Sequence, residues 1–121
     1  MGEPIEFINY QGKAILVVDF SNRSTQEVEK IVRAVPEHVA TKPIGSVLLL
    51  ADFTGASFDQ EVLRAMQQTA VFNKPYIKKS AWVGAEGFPA AFRDSLTSFA
   101  RRDFPTFRTR KEALNWLVAD N

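Results

Sequence analysis

The sequence contains no cysteine and a single histidine, His38. Zinc fingers, iron–sulfur proteins, disulfide scaffolds and thiol enzymes all need cysteine, so none of these classes fits. A metal site of the H-E-x-x-H kind needs two imidazoles on one helix face, whereas His38 sits beside Glu37 near a helix end and reads as a surface or capping residue. Near the N-terminus the longest unbroken apolar run is Ala14 to Val18, far short of the roughly 20 apolar residues of a membrane span. Met1-Gly2-Glu3-Pro4 opens on acid and proline rather than on the basic segment of a signal peptide, so a cytoplasmic location is expected. No G-x-x-x-x-G-K-[ST] phosphate loop and no G-x-S-x-G nucleophile turn occurs, and Gly84-x-x-Gly87 has the wrong spacing for a dinucleotide fingerprint. The expectation is a protein without a cofactor and without enzymatic activity.

What remains is the composition of one globular domain covering residues 1–121, 45% hydrophobic and 24% charged, with net charge +1. At this length a single core is expected to bury about two-thirds of the unfolded surface. Ten Phe and two Trp supply much of its apolar mass. Charge is unevenly placed: the first sixty residues carry five basic and eight acidic groups, the rest ten and six.

Ile5 to Tyr10 nearly alternates, Gln11-Gly12 offers a turn, and Lys13 to Asp19 is a continuous apolar run, which together predict a hairpin with an edge strand and a strand covered on both faces. Ser24 three residues before Glu27 forms a capping box, and Val28, Ile31, Val32, Val35 and Val39 follow on one helical stripe. Pro36 is expected to end, kink or restart that helix near Val35. Ser46 to Asp52 is a second buried strand. Ser57 and Gln60 suggest another capping box before a helix from about Asp59 to Asn73. Tyr76 to Val83 is strand-like, a helix is expected from about Phe88 to Arg101, and Phe104 to Phe107 is a short strand. Thr109 and Glu112 open a last helix with Ala113, Leu114, Leu117 and Val118 on one face. This order predicts an α/β fold with a mostly parallel five-stranded sheet, an N-terminal hairpin and about four helices.

In such sheets ligands collect where strands end and helices begin. Three ends are legible: Asp19-Phe20-Ser21-Asn22, Asp52-Phe53-Thr54-Gly55 and Gly84-Ala85-Glu86-Gly87. The two Asp could bind a metal, but Asp before Ser or Thr ordinarily bonds the nearby backbone and forms a turn. A second candidate is aromatic: Phe53, Phe58, Phe72, Phe88 and Phe92 would line an apolar cavity if they met, with Thr54 and Gly87 at its mouth, although Phe at helical spacing ordinarily fills a core.

The runs Gly12-Lys13-Ala14-Ile15-Leu16, Ser46 to Gly55, Lys79-Ser80-Ala81-Trp82-Val83-Gly84 and Phe107 to Leu117, the last with the pattern F-x-T-x-x-E-A-x-x-W-L, resemble the bacterial SpoIIAA-like, or STAS-like, family over nearly the whole chain. The resemblance implies a superhelix of successive βα units, with one face of the sheet covered more than the other. It also implies a protein partner: STAS anti-sigma-factor antagonists bind a kinase and are switched by phosphorylation of a Ser at the start of the helix after the Asp-x-[Ser/Thr]-Gly strand end. Asp52-Phe53-Thr54-Gly55 matches that strand end, but Ala56-Ser57-Phe58-Asp59-Gln60-Glu61 lacks the Asp-Ser-Ser-Gly core, leaving Ser57 as the weaker acceptor. Similarity of the group to CRAL-TRIO lipid carriers suggests the alternative role.

Two readings follow. The leading one is a non-enzymatic regulatory domain that recognises a protein through Asp52, Thr54, Gly55, Ser57, Asp59 and Glu61. The alternative is a carrier or sensor of a lipid or other small apolar ligand, held by Phe53, Phe58, Phe72, Gly87, Phe88 and Phe92. Nucleic-acid binding through Arg101, Arg102, Arg108, Arg110 and Lys111, with Phe104 or Phe107 stacking on a base, is a weaker third, because net charge is only +1 and no binding motif is present. The apolar edge strand Ile5 to Tyr10 also invites a symmetric homodimer.

Overall fold

The computed structural model describes residues 4–84 and 105–119. Strands β1 (Ile5–Tyr10) and β2 (Lys13–Asp19) form the expected hairpin, followed by helix α1 (Thr25–Val39), β3 (Val47–Asp52), α2 (Gln60–Asn73), a 3-10 turn (Lys74–Tyr76), β4 (Ile77–Val83), the two-residue β5 (Thr106–Phe107) and α3 (Arg110–Val118). The sheet runs β1-β2-β3-β4-β5, antiparallel at the hairpin and parallel elsewhere. The helix expected from about Phe88 to Arg101 lies outside the described residues, as do Gly87, Phe88, Phe92, Arg101, Arg102 and Phe104.

Gln11 and Gly12 both take positive φ, 50° and 81°, the twist that a two-residue hairpin turn requires. Alternation then sorts the strand residues into two cores. Leu16, Val18, Leu49, Ala51 and Trp82 face α1 and α2, while Ile15, Val17, Leu48, Leu50, Ala81 and Val83 face Ala113 and Leu117 of α3. Because helices cover both sides, all six residues of β3 are buried, which is why this strand reads as an unbroken apolar run.

Ser24 caps α1 with the full reciprocal box to Glu27. Pro36 does not end this helix, which continues to Val39. Proline removes one intrahelical bond, but stopping at Val35 would withdraw Val39, which is fully buried, from the core. The α2 cap also differs from expectation. Asp59, not Ser57, is the N-cap, accepting from the Val62 amide at 2.9 Å, and the Ser57 amide instead donates to the Arg23 carbonyl. At the far end of α3, Lys13 Nζ donates to the Val118 carbonyl at 3.1 Å and Lys79 Nζ to those of Trp116 and Ala119. Cations there satisfy free carbonyls and complement the helix dipole.

Candidate functional site

Strands β2 and β3 end on the same four-residue pattern, Asp-Phe-[Ser/Thr]-[Asn/Gly], and their register sets Asp19 opposite Asp52. Each Asp turns its chain in the same way. Asp19 Oδ1 accepts from the Ser21 amide at 3.0 Å and its hydroxyl at 2.5 Å; Asp52 Oδ1 accepts from the Thr54 amide at 3.0 Å and its hydroxyl at 2.7 Å. The two Phe rings stack 4.7 Å apart and nearly parallel beneath the turns. Asn22 and Gly55 then both adopt left-handed φ, 56° and 67°, which Asn and Gly tolerate best.

The ladder continues past the strands. Phe20 N donates to Asp52 O, Asn22 N to Thr54 O, Phe53 N to Val83 O and Gly84 N to Phe107 O. Packing is so close that a side chain on Gly55 would strike Asn22, and one on Gly84 would strike Thr54, whose backbone nitrogen lies 2.8 Å from the position a Cβ would take.

Two carboxylates on adjacent strand ends repel unless a cation joins them. Arg110, in the first turn of α3, supplies it: Nε donates to Asp52 Oδ2 at 2.7 Å and an Nη approaches Asp19 Oδ1 at 3.2 Å. A cation in a helix's first turn opposes the dipole, so this placement is explained by the acids and not by the helix. Burial works against the Arg110 charge, yet the bond and charge of Asp52 and the charge of Asp19 hold its pKa above the ordinary value. Partial burial likewise pushes the Asp19 carboxyl up, but the two Ser21 bonds and the charges of Arg110 and Arg23 outweigh it and leave the group below its ordinary value. The guanidinium fills the place between the carboxylates where a metal would have to sit. Arg110 was legible only as one of a basic cluster; the signal for its role was the repeated Asp at two buried strand ends, which demands a counter-charge.

The end of β3, the loop that follows it and the first turn of α2 carry the residues expected to meet a partner. Asp52 is buried and committed to Arg110 and Thr54. Thr54, Gly55, Ser57, Asp59 and Glu61 are exposed around it. Glu61 pairs with Arg64 at 3.1 Å, and Asp59 caps α2. The aromatic set is dispersed. Phe53 is buried against Phe20, Phe58 and Trp82, Phe58 is half-buried, and Phe72 is exposed and stacked on Tyr76. Phe53 lines a cavity of about 110 Å3 between the sheet and helices α1 and α2, alongside Val35, Leu49, Met66, Ala70 and Trp82. His38 bonds the Ala34 carbonyl within its own helix.

Among the described residues no helix is long and apolar enough to cross a membrane. No family model matches the sequence, and no curated protein matches it. A solved structure does: an uncharacterized protein of the DUF3478 family with a SpoIIAA-like fold from Shewanella loihica PV-4, at 16% identity and a TM-score of 0.66, covering 93% of this chain and 91% of that one. The chain therefore has the SpoIIAA-like fold, as the motif order in its sequence implied.

Proposed function

We propose that the protein is a non-enzymatic regulatory domain that binds a protein partner through Thr54, Gly55, Ser57, Asp59 and Glu61, with Asp52 as their internal support. The observation that carries this reading is an exposed polar loop held on every side: Thr54 is tied to Asp52 and Asn22, Ser57 to Arg23, and Asp59 to the first turn of α2. A loop already ordered loses little freedom on binding, so its exposed donors and acceptors convert into affinity more fully than those of a slack one. Affinity capture from native extract tests it, comparing wild type with Asp59→Asn plus Glu61→Lys. Asn keeps the helix cap, so loss of captured protein reports the surface and not unfolding. A discrete protein retained by wild type and lost by the variant is expected; identical retention by both overturns the reading.

The cavity favours a second reading, a carrier or sensor of a small apolar ligand. Its walls are mostly apolar, with Thr69, Asn73, Lys74 and Ser80 as the polar residues among them, the usual make-up of such a site.

A further inference from the structure

The large apolar side chains that the fold leaves in water are gathered at one end. Among the described residues these are Ile44, Val71 and Phe72, at 74%, 62% and 47% exposed. Because β3 and β4 are parallel, α2 runs back along the sheet, and its last turn, with Val71 and Phe72, lies where β4 begins. The Gly45 amide donates to the Pro75 carbonyl at 2.8 Å, which brings Ile44 of the connector into β3 to the same end. Phe72 in turn stacks on Tyr76 of the 3-10 turn that contains Pro75. Exposed apolar residues scattered singly need no explanation, whereas a group of them beside polar residues marks a surface that meets something else.

Charge follows the same division. Residues 40–46 and 70–79 hold four lysines and no acid. Lys42, Lys74 and Lys78 are exposed, and neither Lys74 nor Lys78 makes an ion pair among the described residues. Glu37, three residues before the first stretch, is the acid nearest to either in sequence. Asp19, Glu27, Asp52, Asp59 and Glu61 stand at the opposite end, where β2 and β3 finish and α1 and α2 begin.

Aliphatic and aromatic tips among unpaired lysines complement an anionic lipid surface: the ammonium groups meet the headgroup phosphates while the apolar tips enter the acyl boundary beneath them. Lysine suits this position because its flexible stem can lie along apolar surface with the charge in water. A fluid interface also imposes no fixed register, so a connector that is lightly tied serves it, whereas a protein partner favours an ordered loop.

We infer that this end of the molecule docks on an anionic lipid bilayer, with Ile44, Val71 and Phe72 entering the interface and Lys42, Lys74 and Lys78 on the headgroups. In that pose the acidic end faces away from the bilayer, and the loop of residues 54–61 stays open to a protein. The inference stands apart from the protein-partner reading, and either can fail without the other.

Cosedimentation tests it, with vesicles of phosphatidylcholine alone or of equal parts phosphatidylcholine and phosphatidylglycerol. Wild type should bind the mixed vesicles and not the neutral ones, and added salt should weaken binding. Lys74→Gln plus Lys78→Gln should weaken it about twentyfold, since a lysine near an anionic surface is worth a factor of about five. Ile44→Ser plus Phe72→Ser should weaken it about tenfold or more through lost apolar burial. These side chains are exposed, so urea midpoints close to wild type should show that the variants fold. Because the chain has no cysteine, Ile44→Cys accepts a single polarity-sensitive dye, whose emission should shift to the blue on mixed vesicles, while the same dye on Gln60→Cys at the opposite end should not shift. No binding to mixed vesicles at low salt overturns the inference, as does binding that either pair of substitutions leaves unchanged, or an equal dye shift at positions 44 and 60. An acidic protein captured from extract by wild type and lost with the lysine pair, in the absence of vesicle binding, would assign the patch to a protein and overturn the lipid surface.

Discussion

Asp52 is the residue on which the strand ends depend, because its two oxygens divide their work. One turns the chain through Thr54 and the other holds Arg110. Removing the guanidinium leaves a carboxylate whose side chain is 9% exposed without its charge partner, so Arg110→Ala should lower stability by about 1–3 kcal/mol. The Asp19 arm contributes less, since that side chain is 30% exposed and its ion pair is solvent-screened. Asp19 does, however, leave a signature in pH. Its folded pKa lies below the ordinary 3.8, so it adds stability that is present above that value and lost as pH falls through the folded one. Urea midpoints measured from pH 7 to pH 3 should therefore fall less steeply below about pH 4 in Asp19→Asn than in wild type; parallel curves would show that Asp19 is not held down. Glycine supplies a second comparison. A Cβ on Gly55 meets the exposed Asn22 side chain, which can swing away, while one on Gly84 meets Thr54 backbone, which cannot. Both positions are left-handed, at φ 67° and 71°. Gly55→Ala should cost about 1–2 kcal/mol, the left-handed penalty alone, and Gly84→Ala distinctly more, read as the difference in urea midpoint.

At the scale of elements, the sequence showed most where local chemistry and tertiary burial agree. The hairpin turn at Gln11-Gly12, the capping box at Ser24 and the cap at Thr109 are each decided within a few residues, so short windows suffice to find them. Pro36 shows the opposite case. Its local preference is to stop α1, and the buried stripe through Val39 overrides it. Ser57 and Asp59 lie two residues apart and both suit an N-cap; the choice falls to Asp59 because the Ser57 amide is drawn to the Arg23 carbonyl of a different loop, a contact no window along the chain contains. Arg110 was hidden for the same reason, being separated by fifty-eight residues from the acid it serves. The aromatic cavity was legible only in part: Phe53 lines it, while Phe58 and Phe72 do not.

Across the whole molecule, the sheet divides labour between its two ends. At the carboxyl ends of the strands, the paired Asp turns, the Arg110 bridge and the α2 cap converge on one polar, exposed and internally bonded loop. At the other end the Lys42 to Ser46 connector is exposed and tied to the following unit mainly through the Gly45 amide on the Pro75 carbonyl. A surface for a protein partner belongs at the end where the backbone is already fixed, since ordering a loop at the moment of contact subtracts from affinity. Photo-crosslinking in native extract measures this most directly, with a photoreactive residue placed at the exposed Gln60, where the loop enters α2, or at Glu37 on the exposed side of α1. The account predicts a discrete protein adduct from position 60, competed away by unlabelled wild type but not by Glu61→Lys, and no such adduct from position 37. The same adducts from both positions, or none from position 60, would contradict it.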